Sequence, residues 1–430
     1  MPVANPASAV PARAIVFLAF AAFASQAMVR VADPLLPQIA ADIGTTVGTA
    51  SVVTSAYAIA HGLTQLFGSP IGDRFPKFVL VTLLSGLCGA ATLACGLSRT
   101  LGELGVARLV CGLTAGMIIP LAMAFIGDTV PYQDRQPVLG RFLAGQIMGL
   151  VGGQVIGGVV GDYFGWRNVF VFIAGLFALA AALLLLELLR NPSTRITPAP
   201  ETRSRGFASE YAAVLGNPWA RIVIFGVFLE AAIMFSAFAY IGADLHTRLG
   251  LSFSAVGAVL AAFGLGGLTF VLTVRQLVDR LGQIGLIIAG GAMLTLSFLA
   301  LALAPVWWVS FAAIAVIGLA FYMVHNTLQV NATQMAPQAR ATAIGIFSSA
   351  LYIGQGAGVA VAAPVVDRYG AVPVFLVAAC AWPVRGRFCA GGSPRSCAGG
   401  LRVSAPAKPA RFPRGQDARR GPADCRQARS

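Results

Sequence analysis

Apolar residues fall in runs of about 20, separated by short polar breaks, along most of the 430-residue chain. A helical run of that length crosses a bilayer core of roughly 30 Å. The runs lack the apolar–polar alternation of a membrane-barrel strand. They predict helical spans near 12–32, 48–70, 77–97, 104–126, 138–160 and 166–189, then near 222–243, 252–273, 283–304, 307–330 and 341–364, with a twelfth starting near 371. A polar stretch from Arg190 to Trp219, with Pro192, Pro198, Pro200 and several Arg, separates the sixth from the seventh. The expected class is an all-α polytopic membrane protein. Arg13 ahead of the first run imitates a signal peptide, but ten further runs favour an uncleaved first helix.

The second half repeats the first. Gln133, Arg135, Gly140, Phe142, Gly149, Gly153, Asp162, Gly165, Val169 and Phe170 recur 205 residues later, as Gln338, Arg340, Gly345, Phe347, Gly354, Gly358, Asp367, Gly370, Val374 and Phe375. Asp73-Arg74 recurs as Asp279-Arg280 at an offset of 206. The repeat predicts two six-helix bundles, residues 1–190 and 220–383, joined by a linker over 191–219. Duplicated bundles imply two halves that rock about a shared site.

Composition agrees. Apolar residues make up 57% of the chain and charged residues 11%, against roughly 25% charged in a soluble domain. The net charge of +14 is mostly a tail property, since residues 384–430 alone carry +9. It is not a nucleic-acid footprint. With the N-terminus inside, the inner flanks hold Arg13, Arg74, Lys77, Arg135, Arg141, Arg190, Arg195, Arg203, Arg205, Arg221, Arg275, Arg280 and Arg340; the outer side holds Arg30, Arg99, Arg167, Arg248 and Arg368. Thirteen against five supports an N-terminus in the cytoplasm. The seven cysteines form no C-x-x-C pair, and Cys88, Cys95 and Cys111 read as small core residues. The two lysines, followed by Phe78 and Pro409, exclude a Walker-A motif, and three scattered histidines give little support to a metal site. No enzyme or cofactor is called for. The energy source left is an ion gradient or the substrate's own.

Span five carries Gly145, Gly149, Gly153, Gly157 and Gly161, all on one helical face, and span eleven a matching row at Ala350, Gly354, Gly358 and Ala362. Small residues let helices approach closely. The rows serve either static packing or sliding contacts between the halves. The stretch Gly149-Leu-Val-Gly-Gly153-Gln154-Val-Ile-Gly157-Gly158 resembles the span-five antiporter motif of the major facilitator superfamily, with Gln154 in place of a Pro. Ser69-Pro-Ile-Gly-Asp73-Arg74-Phe75-Pro76-Lys77 is similar to that family's loop between spans two and three, and Leu104-x-x-x-Arg108-x-x-Cys111-Gly112 to its span-four motif. The resemblance covers roughly residues 10–380 and points to the twelve-span drug:proton antiporter branch, which includes bacterial sugar and nucleoside exporters. It implies the facilitator fold and a solute carrier, and two bundles enclosing one central cavity make a monomer the default. The resemblance also implies a cytoplasmic gate in which Asp73 meets the start of span eleven while Arg74 and Lys77 pair with acids or lipid phosphates, with Asp279-Arg280 as the duplicate and Arg340 as a further gate candidate; an ordinary positive-inside loop is the alternative.

Arg108 sits inside a span and is costly there unless paired or hydrated. By family analogy its partner is Asp33 at the outer end of span one, held charged until a proton or cationic substrate competes; Arg30, three residues earlier, is the rival partner. Glu230, mid-span in helix seven, is a second candidate for taking up a proton, or simply hydrogen-bonds a neighbouring helix. His325, Asn326, Thr327, Gln329 and Asn331 suggest a wet face on span ten, and Tyr57, His61, Gln65, Gln146, Phe235, Phe238 and Tyr240 could join it around a solute. Interhelical polar contacts explain these residues almost as well. Expected partners are a small organic solute, a proton and the lipid bilayer. The reading is export of that solute by proton antiport. A uniporter or importer, or a non-transporting remnant or sensor, remains open.

The second copy of span six departs from the repeat near Pro383, where Arg385 and Arg387 replace apolar positions. The apolar run reaches about 20 Å, so helix twelve is expected to be incomplete. Residues 384–430 then read as a basic, disordered tail, produced by out-of-frame translation of a GC-rich gene or serving as a natural lipid-binding segment. An in-frame apolar continuation in the nucleotide sequence would support the former, and its absence the latter.

Overall fold

The spans form where hydropathy places them, and local signals end them. The computed structural model describes residues 12–67, 75–195 and 207–391, and every element in them is helical. Span one is Ala12–Arg30, continued after a 3-10 turn at Asp33–Leu35 by Leu36–Ile43. Pro34 lacks an N–H, so the first run stops ahead of it. Span two is Val47–Ala50 and Val52–Gln65, started by Thr46, whose Oγ1 accepts the Thr49 N–H at 3.3 Å. Spans three to six are Lys77–Leu97, Leu101–Thr129, Tyr132–Phe164 and Trp166–Arg190. A connecting helix, Phe207–Gly216, precedes span seven, Pro218–Leu249. Spans eight and nine share the run Phe253–Leu303, bent at Gly282 (φ 62°, ψ −179°). Spans ten, eleven and twelve are Trp307–Ala332, Arg340–Tyr369 and Val372–Gly391.

The repeat extends to the punctuation. Gly44 and Gly250 end spans one and seven at φ 73° and 65°, and Gly165 and Gly370 end spans five and eleven at φ 84° and 75°. Glycine takes these angles without a steric penalty. Buried apolar side chains gather in two main clusters, one drawn from residues 14–184 and the other from 214–382 together with Leu36. These are the two six-helix bundles the repeat predicts. They meet along two seams, span two against eleven and span five against eight. Each seam is the other's image under the repeat. We call the side bearing residue 12 and the 190–218 connection the near face, and its opposite the far face.

The glycine rows do not lie in those seams, which favours static packing, the first of the two alternatives, over sliding contacts between the halves. Span five packs its row on span one of its own bundle: a Cβ at Gly149, Gly153 or Gly157 would sit 2.3, 2.3 or 2.4 Å from the carbonyl oxygen of Phe23, Ala27 or Val31. Span eleven does the same on span seven, where a Cβ at Gly354 or Gly358 would lie 2.3 or 2.2 Å from the Phe228 or Ala232 oxygen. The obstacle is backbone, which cannot rotate aside. Gly153→Val is therefore expected to destabilise the N-terminal bundle by about 1–3 kcal/mol or more, seen as a lowered thermal midpoint in detergent. Gly175→Val, at a glycine with open space around it, is the matched control. Gly158 differs from the rest of its motif. It lies in the seam, against Phe253 and Gly257 of span eight.

Span twelve departs from expectation in one respect. Its helical backbone continues to Gly391, past the point where the repeat stops, while its apolar stretch, Val372–Trp382, is about 16 Å long. The apolar part is thus incomplete as expected. Residues 392–430, most of the expected tail, lie outside the described residues.

Candidate functional site

The break in span one positions the first acid. The helix ends at Arg30, and the turn at Asp33–Leu35 holds Asp33 three residues on. Arg30 Nη1 donates to Asp33 Oδ2 at 3.0 Å, and Thr54 Oγ1 of span two donates to Asp33 Oδ1 at 3.4 Å. Both charged side chains are almost completely buried. The Arg30 guanidinium also lies over Phe235, 4.1 Å from its centroid, and 5.2 Å from that of Phe238. Both rings belong to span seven, so Arg30 joins the two bundles.

The expected Asp33–Arg108 pair is not formed among the described residues. Arg108 Nε donates to Val53 O at 2.8 Å and Nη1 to Met28 O at 3.3 Å, and its guanidinium lies 4.3 Å from the Tyr57 ring. Met28 is in the last turn of its helix, where carbonyls lack intrahelical partners. Those oxygens hold Arg108, and the local geometry gives Asp33 to Arg30. The rival pairing named from the sequence is the one present.

Glu230 and His325, read separately in the sequence, are brought together. His325 Nδ1 lies 3.2 Å from Glu230 Oε2, with both residues buried. Glu230 Oε1 meets no hydrogen-bonding partner among the described residues. The His325 ring stacks on Phe321 at 5.0 Å and lies 5.5 Å from Phe347. Phe321 in turn touches Phe235 at 5.4 Å. A line of rings thus connects the Glu230–His325 pair to the Arg30–Asp33 pair.

Beside this line, His61 packs on Tyr352 at 4.1 Å and on Tyr57 at 5.6 Å. Tyr57 Oη, His61 Nδ1 and Gln355 Nε2 are buried without a hydrogen-bonding partner among the described residues. Gln65 instead reaches the Gly116 carbonyl at 2.7 Å. Gln146 and Asn326 are half-buried and Gln329 is exposed. Tyr240 belongs to the far part of the span-two seam, where its hydroxyl meets Ser51 Oγ at 2.8 Å and Val359 O at 2.9 Å. Sequence reasoning missed Tyr352, Phe321 and the bundle-joining role of Arg30. An arginine closing an apolar run, with Phe235 and Phe238 on another span, was the available signal for the last. An apolar cavity of about 310 Å³ between spans seven, eleven and twelve, lined by Phe228, Ile233 and Val374 among others, contains none of these titratable groups.

At the near face, Asp73 and Arg74 lie outside the described residues. Lys77 pairs with Asp128 at 2.7 Å, an acid at the end of span four. Asp279, Arg280 and Arg340 are exposed. The connecting helix fastens both bundles: Tyr211 donates to the Leu66 carbonyl, Thr342 to Glu210. Burial, with the neighbouring Glu210 charge, pushes the Tyr211 phenol above its ordinary value, so it remains a donor.

Known proteins bear on this arrangement. A family model described as Major Facilitator Superfamily matches residues 18–359. A probable sugar efflux transporter of Mannheimia succiniciproducens is 24% identical over 366 residues, which is 85% of this chain and 90% of that one. A chloramphenicol resistance protein of Streptomyces lividans is 27% identical over 266 residues, 60% of this chain and 65% of its own length. Among solved structures, that of a point mutant of the nucleoside transporter NupG superposes with a TM-score of 0.71 at 16% identity, covering 88% of this chain and 100% of that chain. At that identity the likeness is one of fold.

Proposed function

The chain belongs to the Major Facilitator Superfamily, and from that premise we propose that it exports a small organic solute from a bacterial cell by alternating access, driven by protons moving inward. The near face is then cytoplasmic, as the thirteen-to-five distribution of basic residues favours. The observation that carries proton coupling is the Glu230–His325 contact of 3.2 Å, two titratable side chains buried between spans seven and ten. Buried charges are tolerated as pairs, so a proton entering or leaving changes the packing between those spans. Asp33, held by Arg30 between the bundles, is the second acid that such a cycle can use. The sugar efflux and chloramphenicol resistance relatives support the export direction and a neutral, polar or amphipathic solute. One solute site between two bundles makes a monomer the working unit.

Proteoliposomes with an acidic lumen test the proposal, with radiolabelled chloramphenicol and a neutral monosaccharide as probes. Antiport drives the solute inward in either orientation of the protein. One pH unit acting through one proton supports about tenfold accumulation. Equilibration without accumulation would make the protein a uniporter, expulsion of solute a symporter, and no flux of either probe would remove the support for this solute class.

A further inference from the structure

The far face carries contacts that the site above does not use. Asp367, near the end of span eleven, accepts the backbone N–H of Gly48 at 2.6 Å and the Thr46 hydroxyl at 2.7 Å, both at the start of span two. Asp162, near the end of span five, accepts the backbone N–H of Ser254 at 3.2 Å, at the start of span eight. Both bonds cross between the bundles. They are also copies of one another. Position 367 follows 162 by 205, and 254 follows 48 by 206, the two offsets at which the halves repeat. The capping residues correspond too: Thr46 and Ser252 lie 206 apart, and their hydroxyls accept the N–H of Thr49 and Ala255.

The chemistry suits a reversible fastening. The first turn of a helix has more N–H groups than its own cap can satisfy, and the positive end of the helix dipole favours a carboxylate. Thr46 and Ser252 each satisfy one donor, and the acid of the facing bundle takes another. The backbones are close enough to require this. A Cβ at Gly48 would lie 2.3 Å from Ala363 O, and one at Gly158 2.4 Å from Phe253 O, with 158 and 363 again 205 apart. Water can replace both partners once the bundles separate, so release leaves no buried donor unmet.

We infer that Asp162 and Asp367 are twin latches of the far face, each closing it by capping a helix of the opposite bundle, so that both release when that face opens. The inference rests on the alternating-access reading above.

Labelling of a reporter cysteine tests it. Ser55 is buried on span two, and its carbonyl faces Gly356 across the seam. In a Ser55→Cys background, a membrane-impermeant sulfonated maleimide added to intact cells reads the fraction of time the far face is open. Asp162→Asn with Asp367→Asn is expected to label about tenfold faster than the parent, through loss of two helix-terminus carboxylates. Each single change gives a smaller rise. Ser254→Pro deletes the donor without touching a charge, in a first turn where proline is tolerated, and matches Asp162→Asn. Asp244→Asn removes a far-face acid paired with Arg248 on its own helix and leaves the rate unchanged. A parental rate in the double variant, or an equal rise in Asp244→Asn, overturns the inference. If the double variant fails to elute as a single folded species, Ser254→Pro decides alone, a parental rate again overturning it. Failure of pH-driven accumulation in the parent removes the transport reading but leaves this labelling comparison intact.

Discussion

Glu230→Gln is expected to carry solute down its gradient but not to accumulate it against one. Glutamine has the size of glutamate and can still hydrogen-bond His325, so the packing around Phe321 and Phe347 survives. It cannot give up or take a proton. With a one-unit pH gradient the parent accumulates about tenfold per coupled proton, and the variant should fall to a ratio near one. Solute counterflow, which needs alternation but no proton, should persist within about twofold of the parent; that magnitude follows from an isosteric change at a single hydrogen bond. Loss of counterflow as well would mean that Glu230 supports the bundle rather than the coupling. If Glu230→Gln and Asp33→Asn both retain full accumulation, the protons travel elsewhere and the proposed mechanism is wrong. His325→Asn separates the partners. Without the His325 ring at 3.2 Å, Glu230 lacks a titratable partner there, so coupling should weaken more than counterflow.

The positions of the spans were legible because the bilayer imposes one requirement that composition reveals directly: about 20 apolar residues with their backbone bonds satisfied within the helix. The repeat disclosed the two bundles because its residues include Gly165 and Gly370, which fall where the chain must turn. What the sequence left open was the rotation of each helix about its axis. The span-five glycines marked a close approach but not the partner, and the partner is span one of the same bundle. Asp33 had two candidate arginines. The choice was settled by the break at Pro34, which keeps Arg30 within one turn, and by the carbonyls of Met28 and Val53, which hold Arg108. Tyr240 was read as facing a solute, although its hydroxyl is taken by Ser51 and Val359. Polar side chains at bilayer depth announce that a partner exists. Whether the partner is a solute or a neighbouring helix depends on side-chain direction, which hydropathy does not carry. One signal was present and could have been followed further. Asp162 and Asp367 already stood among the recurring residues, and an acid kept at the end of both copies of one span suits the N–H groups of a facing helix start.

Arg30→Met is expected to destabilise the protein by about 3–5 kcal/mol, because it removes one partner of a buried ion pair and leaves Asp33 without its cation. The side chain of Asp33 is fully buried, and its remaining hydrogen bond, from Thr54 at 3.4 Å, is long. The loss also removes the stacking on Phe235 and Phe238, and a desolvated cation–π contact is worth about 2 kcal/mol. The two contributions separate in a double variant. Arg30→Met with Asp33→Asn removes both charges, so most of the electrostatic loss should be recovered while the contact between the bundles stays missing. Thermal midpoints in detergent should therefore rank parent first, double variant second and Arg30→Met last. Transport should rank differently. The double variant is expected to fold yet show no pH-driven accumulation, since it lacks the acid and the cation joining span one to span seven. Arg30→Lys keeps the charge but not the flat guanidinium that lies over two rings, so it should hold Asp33 while loosening the bundles. An Arg30→Met protein as stable as the parent would mean that Asp33 is neutral in the resting state. A double variant no more stable than the single would place the loss in the stacking, making Arg30 an element of bundle assembly and leaving proton coupling to Glu230.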